Sequence, residues 1–151
     1  MLWFAALLLA QPVPQQQCAA MDANLPAPLA AWTKPGMGLA PGNAVWLRTI
    51  SGMYGAVLKA YEPGEPVPGY SEAEFKIERA GVYGIAADQP VWIDVIPQGA
   101  SQPLTSARHG HGPECTTIRK IVGFDLQPGN YLLRLTKVTV DRVKVMLVAP
   151  D

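Results

Sequence analysis

Short apolar or alternating runs, separated by Gly, Pro and Asn, fill most of the chain from residue 45 onward. Alternation of apolar and polar residues predicts a strand with one buried face, and short strands at regular spacing are typical of an antiparallel sandwich or barrel. No helical period is sustained. We therefore predict an all-β fold, an antiparallel β-sandwich of jelly-roll or immunoglobulin-like type with about eight strands. The predicted strands are 45–50, 56–61, 74–79, 82–87, 91–96, 117–126, 131–136 and 142–148.

The last three runs predict which side chains face the core. Between the first two of them, the pattern Leu-x-Pro-Gly-x-Tyr at 126–131 is typical of a sandwich corner, where the Tyr131 hydroxyl bonds back to the turn backbone. Arg134 is expected to point outward. The inward set is Val122, Phe124, Leu126, Tyr131, Leu133, Leu135, Val143, Val145 and Leu147.

The segment 75–85 predicts a β-hairpin, because two alternating strands flank an Ala-Gly pair at 80–81. Its Ala-Gly-x-Tyr pattern resembles the Pro-Gly-x-Tyr pattern of the later corner. Before the strands, residues 22–44 are rich in Ala, Pro and Gly, and we expect an ordered arm that lies on the domain, with a short helical turn around 25–32.

The apolar run at 2–10 is too short to span a bilayer and has the size of a signal-peptide core. We predict a signal peptide and leader over 1–17 and one β-sandwich domain over 18–151. The protein is then periplasmic or secreted, with no transmembrane segment once the leader is removed.

Charge and cysteine content narrow the partners and the compartment. Twelve basic and twelve acidic residues give no net charge, which argues against nucleic acid or an anionic membrane as a partner. The two cysteines, Cys18 and Cys115, follow a leader, and we predict that they form a disulfide; the alternative is a free buried thiol at Cys18. Chain-entropy models assign a bridge across so long a loop about 4 to 5 kcal/mol.

Both histidines of the chain lie in the segment 108–115. In an extended backbone His109 and His111 point the same way, so they could hold Fe(II), Zn(II) or Cu(II) with Glu114 or a Cys115 thiolate as third ligand. A disulfide at Cys115 removes the thiolate. The interpretation that we adopt is a structural cap fixed by the bridge, with both imidazoles bonded to backbone carbonyls and no cofactor. Arg108, at the start of the segment, is a candidate contact residue.

The segment 92–95 places Trp92 and Asp94 on one face of a strand, and both are candidate binding residues. Asp94 either serves as a ligand or acid beside the histidines or, as we favour, pairs with Arg119, Lys120 or a backbone turn. Three tryptophans, Trp32, Trp46 and Trp92, could form a sugar-stacking platform or simply pack in the core. No nucleophile, phosphate-loop or dinucleotide motif is present, so we predict no catalytic residue.

The order His109-x-His111-x-x-Glu114 resembles the first metal motif of cupin oxygenases, in which a further histidine comes from a later segment. Here the corresponding position, near Leu132, carries no histidine. The stretches 109–122 and 124–131, the Trp-Ile-Asp-Val segment and Cys18 also resemble, over most of the mature chain, short exported proteins of sphingomonad-type bacteria. Members are often labelled homogentisate 1,2-dioxygenase, although the enzyme properly so named is a far longer cupin protein.

Two functions follow as expectations. The first is a non-catalytic binding or envelope accessory role, with the His-Gly-His segment as contact site and an envelope protein or a small molecule as partner. The alternative, which the resemblance implies, is a small metal-binding protein or Fe(II) dioxygenase that uses His109, His111 and Glu114.

Overall fold

The computed structural model describes residues 17–51 and 68–150, so the predicted leader up to residue 16 and the predicted strand 56–61 lie outside the described residues. Two antiparallel sheets form a sandwich, and the predicted all-β sandwich is confirmed. Its elements are a 3₁₀ helix (Ala27–Thr33), β1 (Asn43–Arg48), β2 (Gly69–Ile77), β3 (Gly81–Ala87), β4 (Trp92–Pro97), β5 (Arg108–Gly110), β6 (Lys120–Leu126), β7 (Gly129–Val138) and β8 (Arg142–Val148). The five-stranded sheet has the order β1-β8-β3-β6-β5, and the three-stranded sheet has the order β2-β7-β4.

The strand pairing has the jelly-roll arrangement. The first half of the chain pairs with the second half in reverse order, as β1 with β8, β2 with β7 and β3 with β6. A long hairpin rolled into two sheets gives these pairs. A jelly roll would also pair β4 with β5, the two strands at the middle of the hairpin. Here β5 lies beside β6 instead, at the edge of the five-stranded sheet. The short β5 carries the first histidine of the His-Gly-His segment to that edge.

The main core lies between the sheets and follows the alternation of the sequence. The inward residues predicted for β6, β7 and β8 are all buried there, and Arg134 lies on the opposite face of its strand, as predicted. Phe75 of β2 stacks on the Tyr131 ring with centroids 5.5 Å apart. The alternation of apolar and polar residues in these three strands was therefore enough to predict which side chains pack between the sheets.

A second apolar layer covers the outer face of the five-stranded sheet. The arm that precedes β1 lies there, and Trp32 of the 3₁₀ helix is fully buried against Ala44, Ala86 and Met146. The two alanines leave room for the indole, whose Nε1 donates to Thr117 Oγ1 at 2.9 Å. The predicted arm is confirmed, and Trp32 is a packing residue. Because the arm covers this face, β3 and β8 have buried residues on both of their faces.

The predicted hairpin at 75–85 is wrong. β2 pairs with β7, whereas β3 pairs with β6 and β8, so the turn between β2 and β3 crosses from one sheet to the other. Tyr83 Oη donates to the Arg79 carbonyl oxygen at 2.8 Å. At the neighbouring crossing, Tyr131 Oη donates to the Gln127 carbonyl at 2.6 Å and accepts from its amide at 3.0 Å. The shared Gly-x-Tyr pattern thus marks two sheet crossings, and the predicted corner at Tyr131 is confirmed.

Replacing Tyr131 by Phe is expected to lower the free energy of unfolding by about 1 kcal/mol, because the Gln127 backbone loses its hydroxyl partner. Urea denaturation measures the change. Tyr83→Phe is the matched comparison, since that hydroxyl makes one such bond instead of two, and a smaller loss is expected. If Tyr131→Phe unfolds at the same urea concentration as the parent protein, the corner bond does not stabilise the fold.

Asp88, at the end of β3, is half-buried beside β8. Its Oδ1 accepts from the Lys144 amide at 3.0 Å, and its own amide donates to the Lys144 carbonyl at 3.1 Å. Burial raises the pKa of the Asp88 carboxyl above its ordinary value of 3.8, although the Lys144 amide and charge oppose this shift. The raised pKa favours the folded state at pH values below 3.8, and this contribution is lost as pH rises through the folded-state pKa.

Asp88→Asn keeps an acceptor oxygen for the Lys144 amide and removes the titration. The stability of the variant relative to the parent is therefore expected to increase as pH rises from about 3 towards neutrality, and then to level off. Denaturation curves at a series of pH values measure this difference. A difference that falls with rising pH would contradict the assigned direction of the pKa shift.

Candidate functional site

The His-Gly-His segment begins as an edge strand. β5 is three residues long and pairs with β6 alone, with Arg108 opposite Gly123, His109 opposite Val122 and Gly110 opposite Ile121. A further bond from the Ala107 amide to the Gly123 carbonyl, at 2.7 Å, extends the pairing. The sheet therefore fixes the backbone that carries Arg108 and His109, while their side chains remain exposed.

Two glycines determine how closely this segment packs. A Cβ on Gly123 would lie 2.6 Å from Arg108 Cγ, so the Arg108 side chain crosses the space that a larger residue would fill. A Cβ on Gly112 would overlap the Ile118 carbonyl oxygen and side chain. Glycine at 112 thus allows the chain after His111 to lie directly against the segment that leads into β6.

Gly112→Ala is expected to destabilise the protein by about 1 to 3 kcal/mol, since the Ile118 backbone must move to admit the methyl group. The matched control is Gly110→Ala, because a Cβ at 110 meets nothing within 4 Å. Thermal denaturation of both variants measures the difference. Equal melting temperatures for the two variants would show that the segment at 112 is not packed as described.

The disulfide Cys18–Cys115 joins this region to the arm, with 5.4 Å between the Cα atoms, and the predicted pairing is confirmed. Asp22 adds three hydrogen bonds: its Oδ1 accepts from the Thr117 amide at 2.7 Å, its Oδ2 accepts from the Thr117 hydroxyl at 2.6 Å, and its amide donates to the Cys115 carbonyl at 2.9 Å. Trp32 donates to the same hydroxyl. A covalent bond and a polar network therefore fix the arm beside the His-Gly-His segment.

Between the arm and β5 lies a shallow groove, called here the His groove. Three parts of the chain line it: the segment 108–111 with Arg108, His109 and His111, the arm, and the neighbouring strands with the residues after β8. The arm and strand residues of the lining are mostly apolar: Pro26, Pro28, Leu29, Val82, Gly84, Ile121, Val148, Ala149 and Pro150. The groove therefore combines polar residues of the His-Gly-His segment with a mainly apolar remainder.

The donor set of the groove does not match a complete metal site. Both imidazoles line it, but Glu114 does not, and the disulfide removes Cys115 as a thiolate ligand. Within residues 17–51 and 68–150, no group of three or more His, Cys, Asp or Glu side chains lies together. The two histidines would need ligands from outside this set to complete the usual coordination of Fe(II) or Zn(II).

The imidazoles do not form the bonds that the cap interpretation predicts. In the described part of the chain, no backbone carbonyl accepts a hydrogen bond from His109 or His111, and both side chains are exposed. The disulfide that the cap interpretation assumed is present, but the predicted bonds from the imidazoles to backbone carbonyls are wrong. Their donors and acceptors are available to a ligand.

Trp92 and Asp94 lie elsewhere. Both are on the outer face of β4 in the three-stranded sheet, and Trp92 Nε1 donates to Asp94 Oδ1 at 3.1 Å. The expected pairing of Asp94 with Arg119 or Lys120 is wrong, since Lys120 Nζ bonds the Val91 carbonyl at 2.9 Å. Neither alternative for the tryptophans describes all three: Trp32 is buried under the arm, whereas Trp46 and Trp92 are exposed on different sheets and form no shared platform.

The presence of Pro26, Pro28 and Pro150 in the groove was not predicted from the sequence, because no local pattern brings the arm and the residues after β8 to β5. Across the described ranges, no helix has the length and apolar character needed to cross a membrane.

Comparisons with protein-family models, with curated proteins and with solved structures gave no significant match. Function must therefore be argued from the residues themselves.

Proposed function

We propose that the protein is a non-catalytic binding protein of the periplasm or the extracellular space, and that the His groove contacts its partner. The disulfide supports an oxidising, non-cytoplasmic location. The finer assignment to the periplasm or to secretion rests on the leader-like composition of residues 1–17. The partner is an envelope protein or a small molecule.

One observation carries the proposal: exposed polar side chains project from a backbone that is held in place. Arg108, His109 and His111 are exposed and line the groove, while strand pairing, close glycine packing and the disulfide fix the backbone of their segment. Fixing donors before binding reduces the entropy that is lost when a partner docks. The apolar residues of the groove add surface from which water is removed when a partner binds.

Photo-crosslinking in the exporting cell tests this proposal. A photo-reactive phenylalanine analogue at position 109 is expected to give a discrete adduct, and Arg108→Ala in the same chain is expected to weaken it. The matched control places the analogue at position 37, since Met37 is 97% exposed and lies outside the groove. No adduct at 109, or equal adducts at both positions, would contradict binding in the groove.

The metal-binding alternative has one observation in its favour, namely that both histidines line the same groove. It requires neutral imidazoles, because a protonated imidazole has no free lone pair for a metal ion. Oxygen uptake with homogentisate and Fe(II) tests the dioxygenase form of this alternative. Uptake that disappears when His109 and His111 are replaced by Ala would establish it in place of the binding role.

A further inference from the structure

The outer face of the three-stranded sheet carries a large aromatic ring that is exposed but held in position. Trp92 is 56% exposed at the start of β4. Its Nε1 donates to Asp94 Oδ1 at 3.1 Å, and Lys137 Nζ lies 5.6 Å from the ring centroid. The hydrogen bond and the cation–π contact limit the rotation of the ring although water surrounds much of it.

Lys137 reaches the ring through an irregularity in β7. The register between β2 and β7 shifts so that Gly69 faces Val138 and Ser71 faces Leu135, which leaves one extra residue in β7. Lys137 has a φ of 58°, in the left-handed region that lysine seldom adopts. A bulge of this kind redirects a side chain, and here it directs the Lys137 ammonium towards Trp92.

Next to the ring, a polar row crosses all three strands. Asp94 of β4 lies opposite Arg134 of β7, which in turn lies opposite Glu72 of β2. Arg134 Nε donates to Glu72 Oε1 at 2.9 Å. The row therefore presents fixed carboxylate acceptors and a planar guanidinium donor beside an aromatic surface.

Charges on this face balance, which restricts the kind of ligand. Among residues 17–51 and 68–150, three acidic and three basic side chains lie on this face, so these residues give it no excess charge to attract a polyanion or a polycation. Those side chains are Glu72, Glu74, Asp94, Lys76, Arg134 and Lys137. A neutral ligand with many hydroxyl groups and one apolar side fits such a surface.

We propose that this face binds a neutral oligosaccharide. We call it the Trp92 face and define it by Trp92, Asp94, Arg134, Glu72 and Lys137. The C–H side of a pyranose ring would stack on the Trp92 indole, because both surfaces are apolar and flat. The hydroxyl groups of that sugar and its neighbour would bond to the carboxylates and the guanidinium of the row. The site lies apart from the His groove and does not depend on it.

Titration of the full chain with cellohexaose, maltohexaose and chitohexaose, followed by the indole N–H signal of Trp92 in NMR, tests the proposal. At least one of the three sugars is expected to shift that signal in a saturable way at concentrations up to about 10 mM. For the variants, binding is followed by the backbone amide signals of β4 and β7, because a Trp92 variant has no indole signal at this position. Trp92→Ala is expected to weaken binding at least about tenfold, and Asp94→Asn several-fold. Trp92→Phe, which keeps a stacking ring, is expected to retain more affinity than Trp92→Ala.

Trp46→Ala is the matched control, because Trp46 is 40% exposed on the other sheet. Its sugar affinity, and that of the His109→Ala/His111→Ala variant, is expected to equal that of the parent. No saturable shift with any of the three sugars would overturn the proposal. So would an equal loss of affinity in Trp46→Ala and Trp92→Ala, since binding would then not be located at this face.

Discussion

Cys18→Ser is expected to lower the free energy of unfolding by about 4 to 5 kcal/mol, the largest effect of any single change considered. The bridge spans a sequence separation of 97 residues, so its loss releases much entropy in the unfolded chain. Cys18 itself is exposed, and the serine removes little packing. Urea denaturation under non-reducing conditions measures the loss, and mass measurement should show the parent two hydrogens lighter than its reduced form.

Cys115→Ser is the matched control, since it removes the same covalent bond from the other side. The two variants and the double variant are expected to lose similar amounts of stability, because only one bond is at stake. A Cys18→Ser variant that melts with the parent protein would show that the arm needs no covalent attachment.

Trp32→Ala is expected to cost about 3 to 5 kcal/mol, because the indole is wholly buried between the arm and the outer face of the five-stranded sheet. The change also removes one of the two hydrogen-bond partners of the Thr117 hydroxyl, the other being Asp22. Trp46→Ala is the control, since that ring is partly exposed, and a loss of about 1 kcal/mol or less is expected. Chemical denaturation measures both.

The losses of stability caused by Cys18→Ser and by Trp32→Ala are not expected to add. If the arm docks as a unit, Cys18→Ser combined with Trp32→Ala is expected to cost less than the sum of the separate changes, because each already releases part of the arm. Strict additivity would show that the bridge and the indole act on independent parts of the structure.

Period-two alternation was enough to predict the core of β6, β7 and β8, because a strand with one buried face must alternate. The same local pattern could not show that 75–85 crosses between sheets. A tight hairpin and a sheet crossing share the Ala-Gly turn, and the choice depends on pairing with the distant strands β6, β7 and β8. Alternation also fails to identify a second covered face, so the role of Trp32 required the structure.

The candidate site was predictable only in part. The positions of the cysteines and histidines were enough to predict the disulfide and to identify 108–115 as the segment with most of the candidate ligands. The exposure of both imidazoles did not, because it results from β5 lying at a sheet edge. Nor could the sequence show that Glu114 lies outside the groove, since its position depends on how 112–118 packs.

The proposed function makes the His-Gly-His segment a fixed contact surface and not a metal centre. Metal analysis of untagged protein produced from the full chain, followed by calorimetric titration with Zn(II), tests this most directly. We expect far less than one metal per chain, no stoichiometric site tighter than tens of micromolar, and a change of at most about 0.5 kcal/mol in the stability of the His109→Ala/His111→Ala variant. One metal per chain that is lost in that variant would contradict the account.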